Sequence, residues 1–201
     1  MNRLFKNHER IIHAMTDREM VSQLYITQAV LAVLGLLGSF FFLGGWLVPA
    51  EMMNPSWASV IIGICAAAVV ILADRAVEKI APDGLYDDGG INEKLFRSCT
   101  IPHIAAMTAM ISIVEEWLFR GVLQSEFGLA ASAIIFSVLH IRYLSKLLLF
   151  IMVTAISLFI GILFEYTGSL LAAVTAHFII DLFFGIQIRL KYVSRGESKS
   201  P

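Results

Sequence analysis

The chain has 201 residues, 58% of them apolar and only 15% charged, with a formal net charge of −1 and a mean hydropathy of +0.77. The length suits one domain, but this composition lies outside the soluble range, so lipid must supply part of the solvent. Lys and Arg are confined to a few polar islands, which excludes the continuous basic surface that a nucleic-acid partner needs.

Met1 to Glu19 is polar. The apolar run that follows is too long for a signal-peptide core and lacks a small-residue cleavage site, so it is expected to be retained. No lipidation motif closes the sequence, and Lys199-Ser200-Pro201 reads as a solvated tail. Met20 to Ala50 carries no charge and easily holds the ~20 residues that cross a bilayer core, which predicts a first span. Asn54 and Pro55 predict a tight turn, and Ser56 to Ala73 a second span that stops at Asp74 and Arg75. From Asp74 to Arg97 the chain is polar. Pro82, Gly84, Gly89 and Gly90 read as loop there, and Asn92 as the cap of a short amphipathic helix.

Four further apolar segments follow, at about Ile101 to Gln124, Leu129 to His140, Leu147 to Phe164 and Leu170 to Ile188; the second of these is short for a straight span. All are continuously apolar rather than alternating, which favours helices over barrel strands. The expected fold is therefore an all-α polytopic bundle of about six transmembrane helices, with Gly35, Gly38, Gly44, Gly45, Gly63 and Gly161 as contact points between helices. Cys65 and Cys99 have no ligand-like spacing and are assigned no function.

The basic residues set the expected orientation. Arg3, Lys6, Arg10 and Arg18 precede the first span, and Arg75, Lys79, Lys94 and Arg97 follow the second. Arg142 and Lys146 follow the fourth; Arg189, Lys191, Arg195 and Lys199 follow the sixth. The opposite connections, around Glu51, Glu126 and Glu165, have none. The positive-inside rule then places both termini in the cytoplasm of a multi-pass cell-membrane protein.

A charge at the centre of a membrane helix costs roughly 2.5–3.5 kcal/mol on insertion scales, so ionisable groups there are functional candidates. Setting aside residues near span ends, namely His103, Glu126, Arg142, Lys146, Glu165 and Arg189, leaves Glu115, Glu116, Arg120, His140, His177 and Asp181. Residues four apart share a helix face, which pairs Glu116 with Arg120 and His177 with Asp181. Glu115 is then left for another task, and His140 adds an imidazole with Phe136 packed one turn before it. Carboxylates, imidazoles and a guanidinium from three helices suit hydrolysis: a glutamate takes a proton from water, and donors stabilise the oxyanion that forms.

Three motifs carry a resemblance. Glu115-Glu116-Trp117-Leu118-Phe119-Arg120-Gly121 matches EExxxR, Phe136-Ser137-Val138-Leu139-His140 matches FxxxH, and His177-Phe178-Ile179-Ile180-Asp181 matches HxxxN or HxxxD. In this order they resemble the CPBP (Abi) intramembrane proteases, which include the type II CAAX prenyl endopeptidases, also called Ras-converting enzymes. Gly161 and Tyr166 to Leu170 are similar to the family's linking segment, and the likeness covers roughly Ile101 to Ile188. It implies that Glu115 and His140 activate water, that His177 and Asp181 stabilise the oxyanion, and that Glu116 and Arg120 shape and neutralise the site. Asp stands where Asn would donate a hydrogen bond. Either Asp181 orients His177 by accepting its ring proton, the favoured reading, or burial keeps it protonated.

The organisation so implied is an N-terminal segment with two helices and a loop over 1–99, a catalytic membrane core of four helical segments over 100–190, and a cytoplasmic tail over 191–201. The expected partners are the bilayer and a peptide or membrane-protein substrate, prenylated or not. No cofactor is expected. Zinc is conceivable for Glu and His, but HExxH is absent. A catalytically silent scaffold or bacteriocin-immunity partner is the rival reading, and a transporter would call for broken helices and a repeat. One conflict of depth arises: straight helices would put Glu115 past mid-membrane and His140 near the cytoplasmic boundary, so something must tilt or the third helix must begin outside the lipid.

Overall fold

The computed structural model describes residues 14–82, 85, 88–140, 143–144 and 146–197. Expectations for Arg3, Lys6, Arg10, Gly84, Arg142 and Lys199 lie outside the described residues. Among those described, every regular element is a helix: α1 (Asp17–Leu43), α2 (Val48–Glu51), α3 (Trp57–Ile80), α4 (Ile91–Phe96), α5 (Ile101–Glu116) continued by a π-helical stretch (Trp117–Gln124), α6 (Ser125–Leu139), α7 (Leu147–Thr167) and α8 (Leu170–Glu197).

Local chemistry sets the helix ends. Thr16 starts α1 with a reciprocal capping box, its side chain accepting from the Glu19 N–H while Glu19 reaches back to its backbone. Ser56 caps α3 and Thr100 caps α5. α3 runs past Asp74 and Arg75 to Ile80, a correction to the expected stop: charges end the lipid-facing part of a helix, not the helix itself. Ala81, in extended conformation before Pro82, ends it. α8 likewise continues beyond Ile188. Asn92 is not the cap of α4. The Asp88 carboxylate accepts from the backbone N–H of Gly90 and of Asn92 instead, each at 2.9 Å.

Among the described residues, five helices are long and apolar enough to cross a membrane, which makes this a membrane protein. Large apolar side chains such as Phe41, Leu72 and Leu147 lie exposed on their flanks, where lipid covers them. Trp46, Trp57 and Tyr166 are exposed near the helix ends that lack Lys and Arg, as interfacial aromatics are. The longest apolar run, Ile101–Leu139, is not one straight rod. Gly128 adopts φ 82°, ψ 168°, a region closed to residues with a Cβ, and the chain doubles back there. The Ser132 hydroxyl donates to the Phe119 carbonyl at 2.7 Å across the bend, and the rings of Phe119 and Phe136 meet edge to face at 4.8 Å. The short fourth segment expected from sequence is thus the return arm of a hairpin.

α8 lies at the centre, packed on α3, α5, α7 and α4. Its start is anchored by the connection after α2: Leu170 N–H donates to the Met52 carbonyl at 2.8 Å, and the Ser169 hydroxyl to that of Met53 at 2.9 Å. Close approach of helices requires small residues. A Cβ on Gly63 would stand 2.7 Å from the Ala172 carbonyl and from Thr175, and one on Gly161 would collide with Leu129. Gly35 and Gly38 similarly face Trp117 and Val122. Gly44 and Gly45 are not helix contacts, contrary to expectation. Gly44 ends α1 in the left-handed conformation with nothing near it, and Gly45 meets only Val48. Cys65 is exposed; Cys99 is buried, which pushes its thiol pKa up.

Candidate active site

The six ionisable residues singled out in the membrane segments converge. Glu115 and Glu116 end α5, and the chain then widens into π-helical turns, a geometry found mostly at functional sites. Arg120 sits in that stretch, 1% exposed. It meets Glu116 through two contacts of 3.1 Å, from Nη1 to Oε1 and from Nε to Oε2. Its Nη2 donates to the Ser157 carbonyl at 2.9 Å and hydroxyl at 3.2 Å, and its guanidinium lies 5.1 Å from the Phe136 ring centre. N–H donors buried in an apolar bundle seek acceptors, and Ser157 on α7 supplies two of them to Nη2.

His177 joins this pair. Its Nδ1 lies 2.7 Å from Glu116 Oε1, and its Nε2 lies 3.4 Å from Asp181 Oδ2. The second contact is the one that the spacing on α8 predicts; the first links α8 to α5 and was not legible along either helix. An ionised carboxylate only accepts, so the Asp181 contact is attractive when Nε2 carries a proton. The Glu116 contact is as short as charge-assisted bonds usually are, whereas the Asp181 contact is longer and more readily exchanged.

His140 follows α6 and turns back onto it, with Nδ1 2.9 Å from the Phe136 carbonyl. A carbonyl can only accept, so Nδ1 carries hydrogen and the neutral ring has its lone pair at Nε2. Phe136 is the packing residue expected from sequence, touching the His140 ring at 4.5 Å as well as Phe119. The conflict of depth disappears at the hairpin. Glu115 and His140 each lie about a dozen residues from Gly128 on opposite arms, so both stand roughly 18–20 Å from the bend at ~1.5 Å per residue.

Glu115, Arg120, His140, His177 and Asp181 line one cavity of about 950 Å³. Its walls are largely apolar, from Leu24 and Leu31 on α1 to Met152 and Ile156 on α7, and its rim is polar, with Asp74, Arg75, Asn92 and Lys191. Glu116 is fully buried behind the lining.

Residues 97–183 match the type II CAAX prenyl endopeptidase Rce1-like family, and this stretch holds all six residues. An uncharacterized protein of Bacillus subtilis (strain 168), YpbD, is 56% identical over 133 residues, 66% of this chain and 70% of the relative. The chain belongs to the Rce1-like family. No solved structure matches it.

The family match leaves out α1, yet α1 reaches the site. Gln28, 5% exposed, donates from Nε2 to Glu115 Oε1 at 2.7 Å. Ser157 on α7 is the other contact that sequence reasoning missed. Each is a neutral polar residue in a long apolar run, the one signal available for it. Among the described residues, no three His, Cys, Asp or Glu side chains are arranged to hold a metal ion.

Proposed function

We propose that this Rce1-like protein is an intramembrane endopeptidase that hydrolyses a peptide bond of a membrane-associated peptide or protein. The observation that carries the reading is the shared cavity of about 950 Å³, whose lining includes Glu115, His140, His177 and Asp181 from three separate segments of an apolar bundle. Glu115 takes a proton from water as the water oxygen attacks the scissile carbonyl, and His140 Nε2 accepts the second hydrogen, which leaves an oxygen lone pair for the attack. The oxyanion then draws the proton held between His177 Nε2 and Asp181 into a hydrogen bond, exchanging the 3.4 Å contact for a stronger one. Glu116, fixed by Arg120, holds His177 in place throughout. Glu115 finally gives its proton to the leaving amine, so protons balance over the cycle.

The helices that Lys and Arg flank set the orientation in this reading: both termini and the polar rim of the cavity face the cytoplasm of the cell membrane, and the Trp46, Trp57 and Tyr166 end faces outward. The test compares membrane-associated peptides of cells carrying the wild-type chain with those carrying Glu115→Gln. At least one peptide accumulates only with the variant. A prenylated CAAX peptide, chosen from the family's description, is the first probe for the purified protein. If no peptide differs and the purified variant cleaves every probe as the wild type does, the chain is not this protease.

A further inference from the structure

We infer that Gln28 is a positioning residue for Glu115, holding the carboxylate that activates water; this rests on the protease reading above. Gln28 lies on α1, far outside the 97–183 stretch that matches the family, and its Nε2 reaches Glu115 Oε1 at 2.7 Å with both side chains buried. The bond has two consequences. An N–H donor favours the ionised carboxylate over the acid, and a base must be ionised before it can take a proton. It also occupies Oε1 and fixes the carboxyl plane, so the proton from water goes to Oε2.

The other half of the amide separates this role from mere packing. Gln28 Oε1 is buried with no hydrogen-bond partner. A leucine would fill the position without leaving such an acceptor unpaired, so the amide is retained for its donor. Its surroundings agree, because Leu24 and Leu31, one turn away on either side, line the same cavity wall with apolar groups. Glu116 has Arg120 and His177 as hydrogen-bond partners, and Glu115 has Gln28.

The experiment uses the full chain in liposomes, with a farnesylated, fluorescence-quenched CAAX peptide as probe and infrared difference spectra of the carboxyl region as a second readout. The Glu115 band is the one lost in Glu115→Gln. In Gln28→Leu that band shifts, kcat falls about 10- to 100-fold, the usual worth of a hydrogen bond to a charged group, and KM changes little. The acid limb of the pH profile moves to higher pH. In Gln28→Glu the new carboxyl donates only while protonated, so cleavage is retained at low pH and falls as pH rises. A structural role would produce neither profile. An unmoved Glu115 band in Gln28→Leu, or wild-type kcat with an unchanged pH profile, overturns the inference. Cleavage by Glu115→Gln at the wild-type rate overturns the protease reading instead, and the infrared shift still decides whether Gln28 holds Glu115.

Discussion

Replacing Arg120 by Leu removes the cation that neutralises Glu116 while keeping an apolar side chain in its place. The structure gives the size of the effect. Two 3.1 Å contacts with Glu116 are lost, the Ser157 carbonyl loses its 2.9 Å donor, and a fully buried carboxylate is left with His177, at 2.7 Å, in place of its permanent cation. Breaking a buried ion pair from one side costs about 3–5 kcal/mol, most of it the uncompensated charge. Adding Glu116→Gln removes that charge. What remains is chiefly the lost charged hydrogen bond to the Ser157 carbonyl, which keeps its partner within the helix, about 1.5–3 kcal/mol, so the double variant recovers roughly 2 kcal/mol relative to Arg120→Leu alone. Unfolding in mixed detergent–SDS micelles, followed by tryptophan fluorescence, measures both variants, and their difference forms one side of a double-mutant cycle. The reasoning is refuted if the double variant unfolds at the same SDS fraction as Arg120→Leu or below it, since the buried Glu116 charge would then not be the source of the loss.

Asp181→Asn keeps a polar group next to His177 Nε2 and is expected to retain measurable cleavage of whichever peptide the wild type cleaves; complete loss in a variant that elutes and unfolds normally would show that the ionised form is required. Gly63→Val places a side chain where the Ala172 carbonyl and Thr175 already stand 2.7 Å from a Cβ, so α3 must move off α8. A loss of about 1–3 kcal/mol in the same SDS titration is expected, and an unchanged midpoint would mean that the two helices separate without penalty.

The sequence made the site legible because lipid is a strict filter. Charged residues are rare enough in apolar runs that Glu115, Glu116, Arg120, His140, His177 and Asp181 stood out, and the structure brings all of them together. Spacing along one helix also gave the Glu116–Arg120 and His177–Asp181 pairs. It could not give the Glu116–His177 contact, which depends on how α5 and α8 pack. Gln28 and Ser157 escaped because a neutral polar residue in a membrane helix is commonplace and carries no period. The continuation of α3 to Ile80 and of α8 past Ile188 was missed for a different reason: hydropathy marks where lipid stops, while backbone hydrogen bonds continue into water. The bend at Gly128 was hidden by composition, since a lone glycine in an apolar run reads equally as a packing contact or a break.

In the protease reading, that bend also bears on the supply of water, the second reactant. At ~1.5 Å per residue, residues 129–139 beyond the bend extend only about 17 Å, against roughly 30 Å of hydrocarbon. A bilayer accommodates so short an arm by thinning beside it or by letting the head-group layer dip. In that reading, such thinning brings hydration down toward His140 at the arm's tip, and the proposed hydrolysis draws its water from a dimple in the surrounding sheet. Lipids with longer acyl chains would fill that dimple.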